Sequence, residues 1–174
     1  MNQAKKIQVI QGAHYVTDDP EVMLTTVLGS CVAACLHDPQ AGIGGMNHFL
    51  LPDSDSSRAV RFGAHAMELL INDILNRGGR RHRLQAKLFG GGRMFDGLTD
   101  VGEANASFAE RFLRDEGVPV VSASLRGPLA RRVQFWPASG RALQRFVDDA
   151  SQIRNLREVP LRRPPVDEGA VELF

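Results

Sequence analysis

The chain has 174 residues, 43% hydrophobic and 24% charged, and its 21 Lys+Arg against 20 Asp+Glu leave a net charge of +1. That size and apolar content suit one compact domain with a full core, and the near-neutral balance offers no long-range field for nucleic acid or an anionic membrane surface. Two cysteines are too few for a disulfide framework, and neither a signal-type apolar segment nor a membrane-spanning run is present, so the expectation is a soluble cytoplasmic protein without membrane insertion.

Short β-rich runs come first: "KIQVIQG", "EVMLTTVLG", then "CVAACLHD" and "IGGMNHFLLP" on either side of a Pro-containing turn. In "SSRAVRFGAHAMELLINDILNRGG", Val60, Gly63, Met67, Leu70, Ile71 and Ile74 recur at helical spacing, with Ser56 or Ser57 as N-cap and Gly78-Gly79 as the stop. "RLQAKLFGGGRMF" reads as a strand entering a glycine loop. "VGEANASFAERFLRDEG" reads as a second amphipathic helix with Phe108, Ala109 and Phe112 on one side, closed by Gly117.

Three further strand candidates follow, "VPVVSASL", "RRVQFWP" and "GRALQRFV", the last two joined as a hairpin across "PASG". After about residue 150 the pattern dissolves into a Pro-Pro-containing, mixed-charge stretch. The expected organisation is a domain over residues 1–150 and a flexible tail over 151–174. Strand runs interrupted by two helices, without regular βαβ alternation, predict an α+β fold: a layered α/β sandwich, largely antiparallel, with the two helices on one side.

Both cysteines and one of the five histidines fall in "TTVLGSCVAACLHDPQAGIGGMNHFLLP". In "DPQAG", Asp38 suits the first turn position and Pro39 the second. A two-residue loop would set Asp38 opposite Ala41 and Cys31 opposite His48; a one-residue bulge at Gly42 would instead send His48 to the other face. A thiol beside an imidazole can be deprotonated at neutral pH and attack a carbonyl. Gly29 and Ser30, just before Cys31, could let backbone N–H groups approach a developing oxyanion, and Thr25 could orient the imidazole. The competing reading is that both cysteines are core, since free Cys is among the most buried residue types and both strands are apolar on both faces. Cys35, between Ala34 and Leu36, reads as core in either case.

Other features read as structural. Gly90 to Gly92 lack the following Lys-Ser/Thr of a phosphate loop. Cys31, Cys35, His37 and His48 match no common zinc spacing. The basic run "RGGRRHR" places cations after the first helix and has no interleaved aromatics for nucleic acid. His65 falls on the helix face opposite Met67 and Ile74.

"LGSCVAACLHDPQAGIGGMNHFLLP" resembles the signature of the CheD family, the chemoreceptor glutamine deamidases of bacterial chemotaxis. The likeness continues through "RFGAHAMELLINDIL", "AKLFGGGRMF", "VGEAN" and "RRVQFWPASGR", over most of residues 7 to 147. The family motif maps its Thr, Cys and His onto Thr25, Cys31 and His48. Membership implies a layered α/β sandwich and hydrolysis of glutamine side-chain amides on methyl-accepting chemoreceptors through a Cys-His thioester (protein-glutamine glutaminase activity). In some members it also implies hydrolysis of glutamate methyl esters. No cofactor is implied. A CheC-like phosphatase partner is implied, and so is the alternative of a non-catalytic module that docks to receptors or to such a partner. The resemblance also makes Gly90, Gly91 and Gly92 a candidate wall of the substrate cleft. Two positions depart from the family pattern: Val27 stands where glycine is common, and "SLRG", with Ser124 and Arg126, replaces an Asp-Leu-Gly-Gly type run.

Overall fold

The structure, a computed structural model, describes residues 3–52, 56–94, 100–147 and 171–174. Its strands are β1 (Lys5–Gln8), β2 (His14–Thr17), β3 (Val22–Leu28), β4 (Val32–Asp38), β5 (Ile43–Asn47), β6 (Gln85–Gly90), β7 (Val120–Leu125), β8 (Ala130–Trp136), β9 (Arg141–Val147) and β10 (Glu172–Leu173). Its helices are α1 (Ser56–Asn76) and α2 (Val101–Asp115). The strands form two five-stranded sheets, ordered β1-β3-β8-β9-β10 and β2-β5-β4-β6-β7. Pairing is antiparallel except for β1 with β3 and β6 with β7.

Both helices pack on the second sheet, so the order of layers is helices, sheet, sheet, and the expected α+β sandwich is observed. β4 lies in the middle layer, which is why it has no polar alternation. Val32, Ala34 and Leu36 meet the helices, while Cys31, Ala33 and Cys35 meet the first sheet. β3 alternates in the same way: Val22, Leu24 and Leu28 point into the space between the sheets.

α1 buries Met67, Leu70, Ile71 and Ile74, as its spacing predicts. Val60, placed on the same stripe by the sequence, is 48% exposed, because the apolar face turns away from it at the amino-terminal end. Gly78, at φ 107°, ends the helix. α2 begins at Asp100, whose side chain accepts the Glu103 N–H at 3.0 Å, and ends at Gly117, at φ 73°.

Two elements differ from the sequence reading. The strand "HYVT" was not anticipated, since its polar ends mask a four-residue edge strand that pairs with β5. The tail expected to be flexible from 151 to 174 is not free at its end: β10 pairs with β9, and the Phe174 ring packs edge-on against Phe89 at 5.5 Å. Residues 148–170 lie outside the described residues.

Candidate active site

Cys31 stands at the entry to β4, in a turn whose carbonyls are all held from behind. The Gly29 oxygen accepts from Gly92 N–H at 2.9 Å, the Ser30 oxygen from Asn105 Nδ2 at 2.8 Å and the Cys31 oxygen from Gly91 N–H at 2.9 Å. This close backbone approach is what the glycine run permits: Gly90 sits at φ 108°, and a Cβ there would overlap the Cys31 carbonyl oxygen. Gly90, Gly91 and Gly92 are therefore buried supports of the cysteine turn, and the groove beside His48 is lined without them. Gly92 lines a separate small cleft with Ser30, Arg93 and Met94.

The sequence assigns Asn105 no role, although a buried Asn on an apolar helix face must find partners. It is fully buried on α2 and also accepts the Leu51 N–H at 3.0 Å, tying the Cys31 turn to the segment that follows His48.

The β4–β5 hairpin closes with Asp38 opposite Ile43, two residues wider than the expected loop. Asp38 causes this, since its side chain accepts from Gln40 N–H at 3.0 Å and Ala41 N–H at 3.1 Å, and Gly42 takes φ 65°. Cys31 is thus not directly opposite His48. A shift of two preserves the face, however, where a shift of one would have reversed it. Cys35 pairs with Met46 and Val32 with Phe49, so His48 is level with Ala33, and Cys31 lies one step along the same side.

His48 crosses the gap between the sheets. Its Nδ1 lies 2.9 Å from Thr26 Oγ1 and 3.1 Å from the Val9 carbonyl oxygen. The Thr26 hydroxyl donates to that same carbonyl at 2.8 Å. A carbonyl can only accept and Thr26 has committed its hydrogen, so the proton of the neutral ring is on Nδ1 and both oxygens receive it. Nε2 then carries the lone pair, and among the described residues this buried atom has no hydrogen-bond partner. Burial lowers the imidazole pKa, with the Val9 hydrogen bond opposing in part, and so favours the neutral base.

The expected orienting residue, Thr25, is buried but points the other way: its hydroxyl donates to the Val133 carbonyl at 2.9 Å. Thr26 meets the imidazole instead. The period-2 alternation of β3 carries this signal, since Thr26 shares its face with Leu24 and Leu28.

A groove of about 320 Å³ opens beside His48, lined among others by Gln11, His14, Phe62, His65 and Leu69. Phe62 is 48% and Leu69 44% exposed, so this stretch of α1 presents apolar surface next to the imidazole. Cys35 is fully enclosed between the sheets, where burial pushes its thiol pKa far up. His37 is held by the Pro137 carbonyl at 2.8 Å and packs under Gly140.

The family model described as CheD chemotactic sensory transduction matches residues 50–146. The chain belongs to the CheD family. It is 62% identical over 178 residues to the probable chemoreceptor glutamine deamidase CheD of Caulobacter vibrioides, covering 98% of this chain and 94% of that one. Proteins of the same name from Acidiphilium cryptum and Rhizobium rhizogenes are 54% and 51% identical, over 98% of this chain and 94% and 97% of theirs. Among solved structures, a Neisseria meningitidis protein of family DUF152 superposes with a TM-score of 0.46 at 13% identity, over 71% of this chain and 62% of that one.

Within this CheD-family chain, the departing "SLRG" run is a tether between β7 and α2. Arg126 adopts φ 73°, a conformation that favours glycine, and its guanidinium bonds Glu103 and Glu110 on α2 at 2.6 Å each. Ser124 Oγ accepts from the buried Arg131 at 2.9 Å. The departing run thus contacts the helix that carries Asn105 through exposed ion pairs. Among the described residues no helix is long and apolar enough to cross a membrane.

Proposed function

We propose that this chain is a chemoreceptor glutamine deamidase that works through Cys31 and His48. The observation that carries the reading is the imidazole itself: a buried ring with its Nδ1 proton engaged by Thr26 and Val9, its Nε2 lone pair unpartnered among the described residues, and a cysteine on the same side of the hairpin. Membership of the CheD family supplies the substrate class.

In this mechanism His48 Nε2 takes the thiol proton, and the Cys31 sulfur attacks the carboxamide carbon of a receptor glutamine. In this reading the turn of Gly29, Ser30 and Cys31 is the source of backbone N–H donors for the oxygen as it gains charge. The tetrahedral species collapses by breaking the C–N bond, and His48 returns the proton to the departing ammonia. Water, deprotonated by Nε2, then cleaves the thioester to yield glutamate and the free thiol. A glutamate methyl ester would follow the same path with methanol leaving in place of ammonia. Thr26, acting through His48, is a positioning residue in this reading, in place of the Thr25 role implied by the family motif.

The reaction is cytoplasmic in this reading, on the signalling side of the receptors. Incubating the chain with a receptor cytoplasmic fragment should release ammonia and raise the mass of each modified peptide by the difference between Gln and Glu. A folded chain that leaves every receptor glutamine unchanged would remove the assignment.

A further inference from the structure

A side chain outside the proposed catalytic pair reaches the thiol. Gln11 Oε1 lies 3.7 Å from Cys31 Sγ, and Gln11 also lines the groove beside His48. It is exposed, so packing does not account for its position.

The backbone around it is pinned to the imidazole residue. Gly12, at φ 87°, donates its N–H to the His48 carbonyl at 2.7 Å, and the Ala13 carbonyl accepts the His48 N–H at 3.2 Å. Two residues upstream, Val9 presents the carbonyl that engages His48 Nδ1. A single short segment therefore holds the histidine by backbone and side chain while presenting a carboxamide to the cysteine.

We propose that Gln11 is a catalytic residue that donates a side-chain N–H to the oxyanion formed when Cys31 attacks. The proposal rests on Cys31 being the nucleophile. A carboxamide carries both an acceptor and a donor. In the resting site Oε1 faces the thiol and can receive its hydrogen. Once the thiol is deprotonated that role ends, and rotation about the soft terminal torsion presents Nε2–H instead. The oxyanion stands one C–S and one C–O bond from the sulfur, within reach of a group that already touches Sγ. A side-chain donor from this segment adds to a cysteine turn whose carbonyls are already fixed by Gly91, Gly92 and Asn105.

The test measures kcat and KM for ammonia release from a receptor fragment by wild type, Gln11→Ala, Gln11→Glu and Cys31→Ala, together with the rate of Cys31 alkylation by iodoacetamide and the melting temperature. Loss of one oxyanion donor predicts a fall in kcat of about 100-fold for Gln11→Ala with little change in KM. Gln11→Glu, which offers an acceptor and a negative charge, should be at least as impaired. Alkylation should stay within about threefold of wild type and melting unchanged. Wild-type kcat in both variants, or a rise in KM alone, overturns the proposal. So does recovery of glutamate at position 11 in the purified wild-type chain, which would make Gln11 a self-substrate. Activity in Cys31→Ala instead overturns the underlying reading, and is distinguished because it does not depend on Gln11.

Discussion

Replacing Thr26 with valine, beside the matching replacement of Thr25, asks which hydroxyl orients the His48 imidazole in the proposed mechanism. Thr26 accepts from His48 Nδ1 at 2.9 Å and donates to the Val9 carbonyl at 2.8 Å, so Thr26→Val removes both bonds at nearly constant volume. Val9 still receives the Nδ1 proton at 3.1 Å, which limits the cost to stability to about 1 kcal/mol. In the transition state the ring becomes imidazolium, and a hydrogen bond to a charged donor is worth about 1 kcal/mol more than a neutral one. The expected result is a fall in kcat of about fivefold to tenfold. Thr25→Val removes only the donation to the Val133 carbonyl, on the far face of β3, and should cost about 1 kcal/mol of stability with kcat within about twofold of wild type. Both variants are compared by ammonia release and urea unfolding. A larger loss of kcat in Thr25→Val than in Thr26→Val would refute the geometric reasoning and restore the family-motif assignment.

Asn105→Ala should lower unfolding free energy by about 2–4 kcal/mol in urea titrations, because it opens a cavity and removes the hydrogen bonds to the Ser30 carbonyl and the Leu51 N–H. Gly90→Ala forces a side chain onto φ 108° and into the Cys31 carbonyl; a loss of about 3 kcal/mol with nearly abolished ammonia release is expected, whereas a stable, active variant would show that the turn can relax. At Asp38, burial pushes the pKa up, but Arg83 and the N–H groups of Ala41, Arg80 and Gln40 outweigh it and hold the pKa at about 2. Because the folded pKa lies below the unfolded value of about 3.9, this carboxylate contributes about 2–3 kcal/mol that is fully present above about pH 5 and lost as pH falls through about 2. Asp38→Asn should therefore be less stable at pH 7 and show a flatter stability profile between about pH 4 and 2, measured by urea midpoint.

The layers of the fold were legible wherever one periodicity dominated. The stripe of Met67, Leu70, Ile71 and Ile74 and the apolar run from Val32 to Leu36 in β4 are patterns that only a helix on a sheet and a central strand satisfy. Edge strands were less so: "HYVT" is short and polar, and β10 follows a stretch whose composition reads as unstructured. At the site, residue types were legible and partners were not. Cys31 and His48 came from their chemistry, but the loop between them widened because the Asp38 side chain competes with the backbone for turn hydrogen bonds, which turn propensities alone do not weigh. Thr26 follows from the alternation of β3, which puts it on the face of Leu24 and Leu28, whereas the motif spacing points to its neighbour Thr25. Val9 and Gln11 act on residues distant in the chain through a sheet-to-sheet contact, and no local pattern encodes that.

Cys31→Ala tests the central claim most directly. Ammonia release from a receptor cytoplasmic fragment, followed together with the Gln-to-Glu mass change of its peptides, should be robust for the wild-type chain. It should fall to the uncatalysed rate for the folded variant. Deamidation by Cys31→Ala at the wild-type rate would contradict the account.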